Sequence, residues 1–108
     1  MAEYVQAATS PLILLSDTIA VAVPTIADAE IDEVAVDVSA ASGFQPKVGD
    51  GVIAIPMEAL PTSAVIAGAR VTDTDEVTVS FAALEGGSGV TGANKNFRFL
   101  YIDCTTTG

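Results

Sequence analysis

The sequence predicts an all-β protein: a small antiparallel β-sandwich, jelly-roll-like or barrel domain with an N-terminal arm. Three observations predict it. Apolar residues alternate with polar or small ones in short runs, most clearly Val77, Val79, Phe81 and Ala83 against Glu76, Thr78, Ser80 and Ala82. A period of two marks a strand with one buried face. No helical period is sustained anywhere in the chain. Turn-forming residues separate the runs, with Pro24, the segment SGFQPKVGDG, the TDTD of Thr72 to Asp75, and EGGSGVTGAN. A length of 108 residues makes one domain. It divides into an arm over 1–10, a β domain over 11–104 and a flexible tail over 105–108.

PLILLSDTIAVAVPTI, from Pro11, is the most apolar run, interrupted by Ser16, Asp17 and Thr18. Within it Ile19, Val21 and Val23 alternate with Ala20 and Ala22, and Pro24 stops the strand. VAVDVSA puts Val34, Val36 and Val38 on one face and Ala35 and Asp37 on the other. VIAIP is a short strand with apolar residues on both faces, and MEALP is one helical turn or an extended crossing between Pro56 and Pro61. The next two runs form a hairpin over Ala64 to Ala83. In its first strand Val65, Ala67, Ala69 and Val71 are expected on one face, and Ile66, Gly68, Arg70 and Thr72 on the other. NFRFLYID places Phe97, Phe99 and Tyr101 together, with Arg98, Leu100 and Ile102 opposite. A face carrying Leu100 and Ile102 is not a fully solvated one.

Composition narrows the function. Half the residues are apolar but only six are aromatic, so the core is built from Val, Ile, Ala and Leu. Apolar content beyond the needs of a small core points to an oligomer or a partner. Four basic against fourteen acidic residues leave a net charge of −10. Phosphate neutralisation needs clustered cations, so nucleic acid is excluded as a partner, and anionic membrane surfaces are disfavoured with it. The apolar run is too short and too interrupted to span a bilayer. MAEYVQ lacks the basic start of a signal peptide, which reads as synthesis and folding in a cytoplasm. Cys104 is the single cysteine, so no intramolecular disulfide forms.

The sequence also argues against catalysis. There is no histidine, so Ser88 cannot belong to a Ser-His-Asp triad and Cys104 has no histidine base. GSGVTG, Gly87 to Gly92, matches a phosphate-binding glycine pattern in letters, but the adjoining ANKNFRF reads as a strand, not the helix such a site requires. The acidic runs Asp28, Glu30, Asp32, Glu33 and Asp73, Asp75, Glu76 lack calcium-loop spacing and read as solvated edges and turns. Paired acids for glycoside hydrolysis would lack aromatic sugar platforms, because there is no tryptophan. No enzyme activity, metal or cofactor is expected. Phe81, Phe97, Phe99 and Tyr101 read as core. Arg70 and Arg98 are expected to pair with acids across the sheet or across a subunit boundary.

The segment from Gly49 to Ile102 resembles a family of small tailed-phage structural proteins, the capsid decoration or cement proteins. The matching pieces are GD, then P, then ALP, then VIAGARVTDTDEVTVSFAAL and a closing FRFLYI. The resemblance implies a β-rich homotrimer on the outer surface of a virion, with the major capsid protein as its partner. It implies a protein that stabilises an assembled capsid by bridging neighbouring shell subunits. The alternative is a head-fibre or tail-tip module contacting a host receptor or glycan. The expected capsid or subunit contacts are Tyr4, Val5, Leu12, Ile13, Leu14, Leu15, Arg70, Leu100 and Ile102.

Overall fold

The computed structural model describes residues 12–39 and 45–104. Within them the protein is all-β, with seven strands and no helix. The strands are β1 (Leu12–Leu15), β2 (Ile19–Val23), β3 (Ile31–Asp37), β4 (Gly51–Pro56), β5 (Ala64–Asp73), β6 (Glu76–Ala83) and β7 (Ala93–Asp103). They form two antiparallel sheets. The expected arm over 1–10 and tail over 105–108 lie outside the described residues.

The first sheet is organised by one long strand. β7 carries β1 and β2 end to end along one edge, Leu12–Leu15 opposite Asp103 to Leu100 and Ile19–Val23 opposite Phe97 to Ala93. Its other edge carries β4, from Gly51 opposite Ile102 to Pro56 opposite Phe97. The second sheet has β6 at its centre between β3 and β5. The strands β4 and β5 run alongside one another, and so do β2 and β3, without a ladder between them. The fold is therefore a flattened ring of strands, open along two seams.

The core lies between the two inner faces. Phe97, Phe99 and Tyr101 of β7 and Val77, Val79 and Phe81 of β6 are completely buried. The rings of Phe81 and Phe97 meet edge to face across the sheets, with centroids 6.1 Å apart. Phe99 stacks between Phe97 and Tyr101 along β7. Val21, Val23, Val36, Val38 and Val71 complete the fill. Valine is stiff at χ1 and sits well on a pleated surface, which is why so few aromatic residues suffice. Burial pushes the Tyr101 phenol up to about 12, with the charge of Asp75 adding to the effect.

The hairpin of β5 and β6 has the expected bounds, but the expected facing of β5 is wrong over its first half. The register steps from Ile66 opposite Phe81 to Gly68 opposite Ser80, which leaves Ala67 as the extra residue of a bulge. The bulge reverses the alternation. Ala64 and Ile66 join Ala69 against the core, while Val65 faces out with the exposed Arg70. MEALP, residues 57–61, is not a helical turn: the chain bends at Met57 and Glu58 and crosses without regular structure. The loop after Ala83 turns on Gly89, at φ +85°, where a Cβ would come within 2.5 Å of the Ile26 carbonyl. That close approach brings Val90 into a β-bridge with Ile26 and plugs the end of the core.

Candidate functional site

The outer faces of the two sheets differ in kind. Outward residues of the first sheet lie in rows fixed by the register. Ile13, Ile102 and Gly51 make one row, Leu15, Leu100 and Ile53 the next, and Arg98 and Ile55 the third, beyond which Asn96 with Ala20 and Asn94 with Ala22 continue the face in polar and small residues. Ile13, Leu15 and Ile53 are each about half exposed, at 58%, 48% and 51%. Leu100, Ile102 and Ile55 are half-buried between them. No carboxylate belongs to these rows.

The second sheet presents polar groups outward beside one apolar row, Ile31–Ala82–Val65, in which Ile31 is well exposed. Glu33 of β3 accepts from the Ser80 hydroxyl at 2.9 Å and from the Arg70 guanidinium at 3.2 Å. Both contacts hold the Glu33 carboxyl below the usual range, the Ser80 hydrogen bond most, then Arg70. Thr72 and Thr78 share a hydrogen bond at 2.9 Å. Asp37 is also lowered, by its hydrogen bonds from Ser39. Asp37, Asp73, Asp75 and Glu76 border an open hollow of about 440 Å³ at this end of the sheet. Among the described residues no group of three or more His, Cys, Asp or Glu is placed to hold a metal ion.

Charge obeys the same division. The strands of the first sheet hold Asp103, Lys95 and Arg98, a sum of +1. Those of the second hold Asp32, Glu33, Asp37, Asp73, Glu76 and Arg70, a sum of −4.

Ser16 builds the junction between β1 and β2. From Leu15 to Ile19 the chain takes four steps while β7 takes three, from Leu100 to Phe97. Ser16 is the wedge, and it is fully buried. Its N–H donates to the Phe99 carbonyl at 2.9 Å, and its hydroxyl accepts from the Phe99 N–H at 2.9 Å. The Ser16 carbonyl, freed from the ladder, accepts from Arg98 Nε at 2.8 Å. A hydroxyl thus replaces a carbonyl in the ladder, and the only cation of the outward rows is held down on the sheet.

The expected contact residues separate accordingly. Ile13, Leu15, Leu100 and Ile102 come together on the outward face. Leu14 points the other way, opposite Tyr101, and is half-buried. Leu12 pairs with Asp103 through its backbone at the open end of β1. Arg70 does not join them: it lies on the second sheet in its ion pair with Glu33. That is a pair within one chain, as one of the two expected cases had it. Tyr4 and Val5 lie outside the described residues. Ile53, Ile55 and Ser16 were not among the expected residues. The apolar residues on both faces of VIAIP signalled the first two. Nothing but its place inside an apolar run signalled Ser16.

The glycines 87–92 lead into strand β7, not a helix. Cys104 is exposed, and its N–H donates to Asp50, which also accepts from the Lys47 N–H. Comparison with protein families, curated proteins and solved structures finds no match.

The free edges differ as well. β3 is lined with Asp32, Glu33 and Asp37, and β5 is bulged and bears Arg70. Charges and bulges on an edge discourage strand addition. The residues of β1, LILL, include no charge and no proline.

Proposed function

We propose that this chain is a structural virion protein that decorates an assembled phage capsid and stabilises it by bridging neighbouring shell subunits. The observation that carries the reading is a patch on the outward face of the first sheet, the rows Ile13–Ile102–Gly51 and Leu15–Leu100–Ile53, apolar and carboxylate-free on a chain of net charge −10. A solvated antiparallel sheet shows polar residues outward. A face of Ile and Leu works by being covered.

The family resemblance supplies the setting, and the residues supply the constraints. A chain with no histidine lacks the common acid–base pair of acyl transfer, so the protein acts by binding and not by catalysis. The acidic sheet suits an outward, soluble surface and repels packaged nucleic acid. Contact with the major capsid protein is made by the arm over 1–10 and by β1, whose edge lacks charge and proline. A homotrimer presents three such attachments and gains avidity. Stabilisation arises by mass action, because a protein that binds only the assembled shell favours it.

The test is removal and add-back. Heads stripped of the protein should lose resistance to heat and osmotic shock. The full chain should restore it, and a chain lacking residues 1–10 should bind weakly. Stripped heads that stay robust but adsorb poorly to cells would make this a receptor-binding protein instead.

A further inference from the structure

We infer that the shell protein adds an extended segment of its own to the free edge of β1, as a further strand of the first sheet. The inference rests on the virion reading for its partner and supplies the mode of contact. It uses the backbone of β1, not the outward side chains of the sheet.

The edge strands are not equally open. β4 and β5 run alongside one another at one seam, and β2 and β3 at the other, so each of these edges is screened by a neighbour. Among the described strands β1 runs alongside β7 alone. Its edge also lacks the usual protection, since no charge, proline or bulge interrupts LILL.

The register identifies the open backbone groups. In an antiparallel ladder alternate residues of a strand turn their N–H and C=O to the same neighbour. The Ser16 N–H donates to the Phe99 carbonyl at the end of the β1 ladder. Two and four residues back, Leu14 and Leu12 turn their groups to Tyr101 and Asp103. Ile13 and Leu15 therefore turn theirs the other way, where no described strand lies. The far side of β7 agrees with this alternation. Asn96 accepts from the Met57 N–H, so the even-numbered residues of β7 serve β4 and the odd-numbered ones serve β1. Ile13 and Leu15 thus offer two donors and two acceptors, repeating every two residues, or about 6.8 Å. An extended backbone matches that repeat, and scattered side chains do not.

The surroundings describe the segment that fits. Ile13 and Leu15 stand half exposed on the outer face and Leu14 is half-buried on the inner one, so an added strand meets apolar neighbours on both of its faces. Beside a chain of net charge −10, a segment free of acids is favoured. The edge is short, because β1 ends at the Ser16 wedge, and it takes a single segment through at most four hydrogen bonds. A second copy of this chain fits less well. Identical edges pair about a two-fold axis, which a homotrimer lacks, and both copies carry the same −10.

The experiment compares hydrogen exchange of the full-length chain free in solution and bound to stripped heads. Free, the Ile13 and Leu15 N–H groups should exchange at nearly the rate of an open chain. On heads they should slow by about a hundredfold or more. Ile13→Pro removes an N–H that the fold does not use, at an edge where proline is tolerated. Its circular dichroism should be that of the wild type, and its binding to heads about tenfold weaker, because a partner carbonyl is left unpaired. Leu15→Pro repeats the test one pair along. Ile13→Ala keeps the N–H and should bind more tightly than Ile13→Pro. Exchange in the wild type decides the matter even where a proline variant does not fold. Heads that bind the wild type without slowing either amide overturn the inference and leave the virion reading standing, as do folded proline variants that bind like the wild type. Ile13→Ala binding as weakly as Ile13→Pro gives the contact to the side chains and overturns it too. So does slow exchange of both amides in the free chain. Its loss on deleting residues 1–10 would assign the edge to the chain's own arm, and its loss on dilution to a second copy. A wild type that does not bind stripped heads overturns the virion reading along with this one.

Discussion

The two sheets bury their inner faces alike and dress their outer faces in different proportions, the first mostly apolar and the second mostly polar. β6 and β7 are both central strands, and each sends alternate large residues into the shared core. On the far side β6 shows Thr78 and Ser80 among carboxylates and an arginine, with one apolar row at Ala82 between Ile31 and Val65, whereas β7 shows Leu100 and Ile102 among isoleucines, with Asn94 and Asn96 at its other end. Inward residues answer to packing, which is the same problem for both sheets. Outward residues answer to what lies beyond, and under the proposed function water lies beyond one sheet and a partner beyond the apolar rows of the other.

The largest expected effect tests the shared side. Phe81→Ala on one sheet and Phe97→Ala on the other each remove half of the edge-to-face pair. Each should cost about 3–5 kcal/mol, by lost transfer energy and a cavity. Urea denaturation that shows one loss far smaller than the other would mean the sheets do not share one core.

A smaller contrast comes from two serines. Ser16→Ala leaves the buried Phe99 N–H without its acceptor and should cost about 1–3 kcal/mol. Ser80→Ala, on the wet sheet, frees a carboxylate that water solvates, and the melting temperature should not move. Equal losses would erase the distinction between the two outer faces.

The next effect is pH-dependent. The Tyr101 phenol rises from 10 to about 12 in the folded protein. Its neutral form is the one the fold favours, so its contribution is complete below pH 10 and is lost as pH rises toward 12. Thermal melts across that window should show a decline that Tyr101→Phe flattens. A decline unchanged in the variant would assign it elsewhere.

The smallest effect belongs to the acidic sheet. Glu33 is lowered by Ser80 and Arg70, so the stability it contributes is present above the ordinary glutamate range and fades as pH falls through its lowered value. The pair is exposed and screened by salt, so Arg70→Ala should change only the shallow acid limb of the melting profile, and only at low ionic strength. A substantial loss at neutral pH would show the pair to be structural.

Much of the fold was legible in the sequence because period two survives wherever a strand is regular. The facings of β2, β3, β6 and β7 come directly from their alternation, as does the stop at Pro24. β5 was legible only in its second half, because one extra residue at Ala67 reverses every side chain before it. Gly68, alone inside a strand, was the available sign of that bulge. The apolar outward face was half legible: Leu100, Ile102 and the double-sided VIAIP announced it. That β1 and β4 flank β7 in register depends on pairing between residues far apart in the chain, which no local pattern encodes. The Ser16 wedge was illegible for the same reason, since its partners, Arg98 and Phe99, lie on a distant strand.

One ladder has a mechanical meaning. Leu12 lies opposite Asp103, so the two ends of the described strands sit side by side at one end of the first sheet. Tension applied between those two points pulls across the β1–β7 hydrogen bonds and opens them one after another, like a zip. Tension along the strands would have to break several together. β1 is four residues long, and the zip ends at Ser16, where the chain steps out of register and the arginine is clasped. A pull at these ends therefore peels off one short strand and stops at that clasp, with β2 and the phenylalanine core still in place.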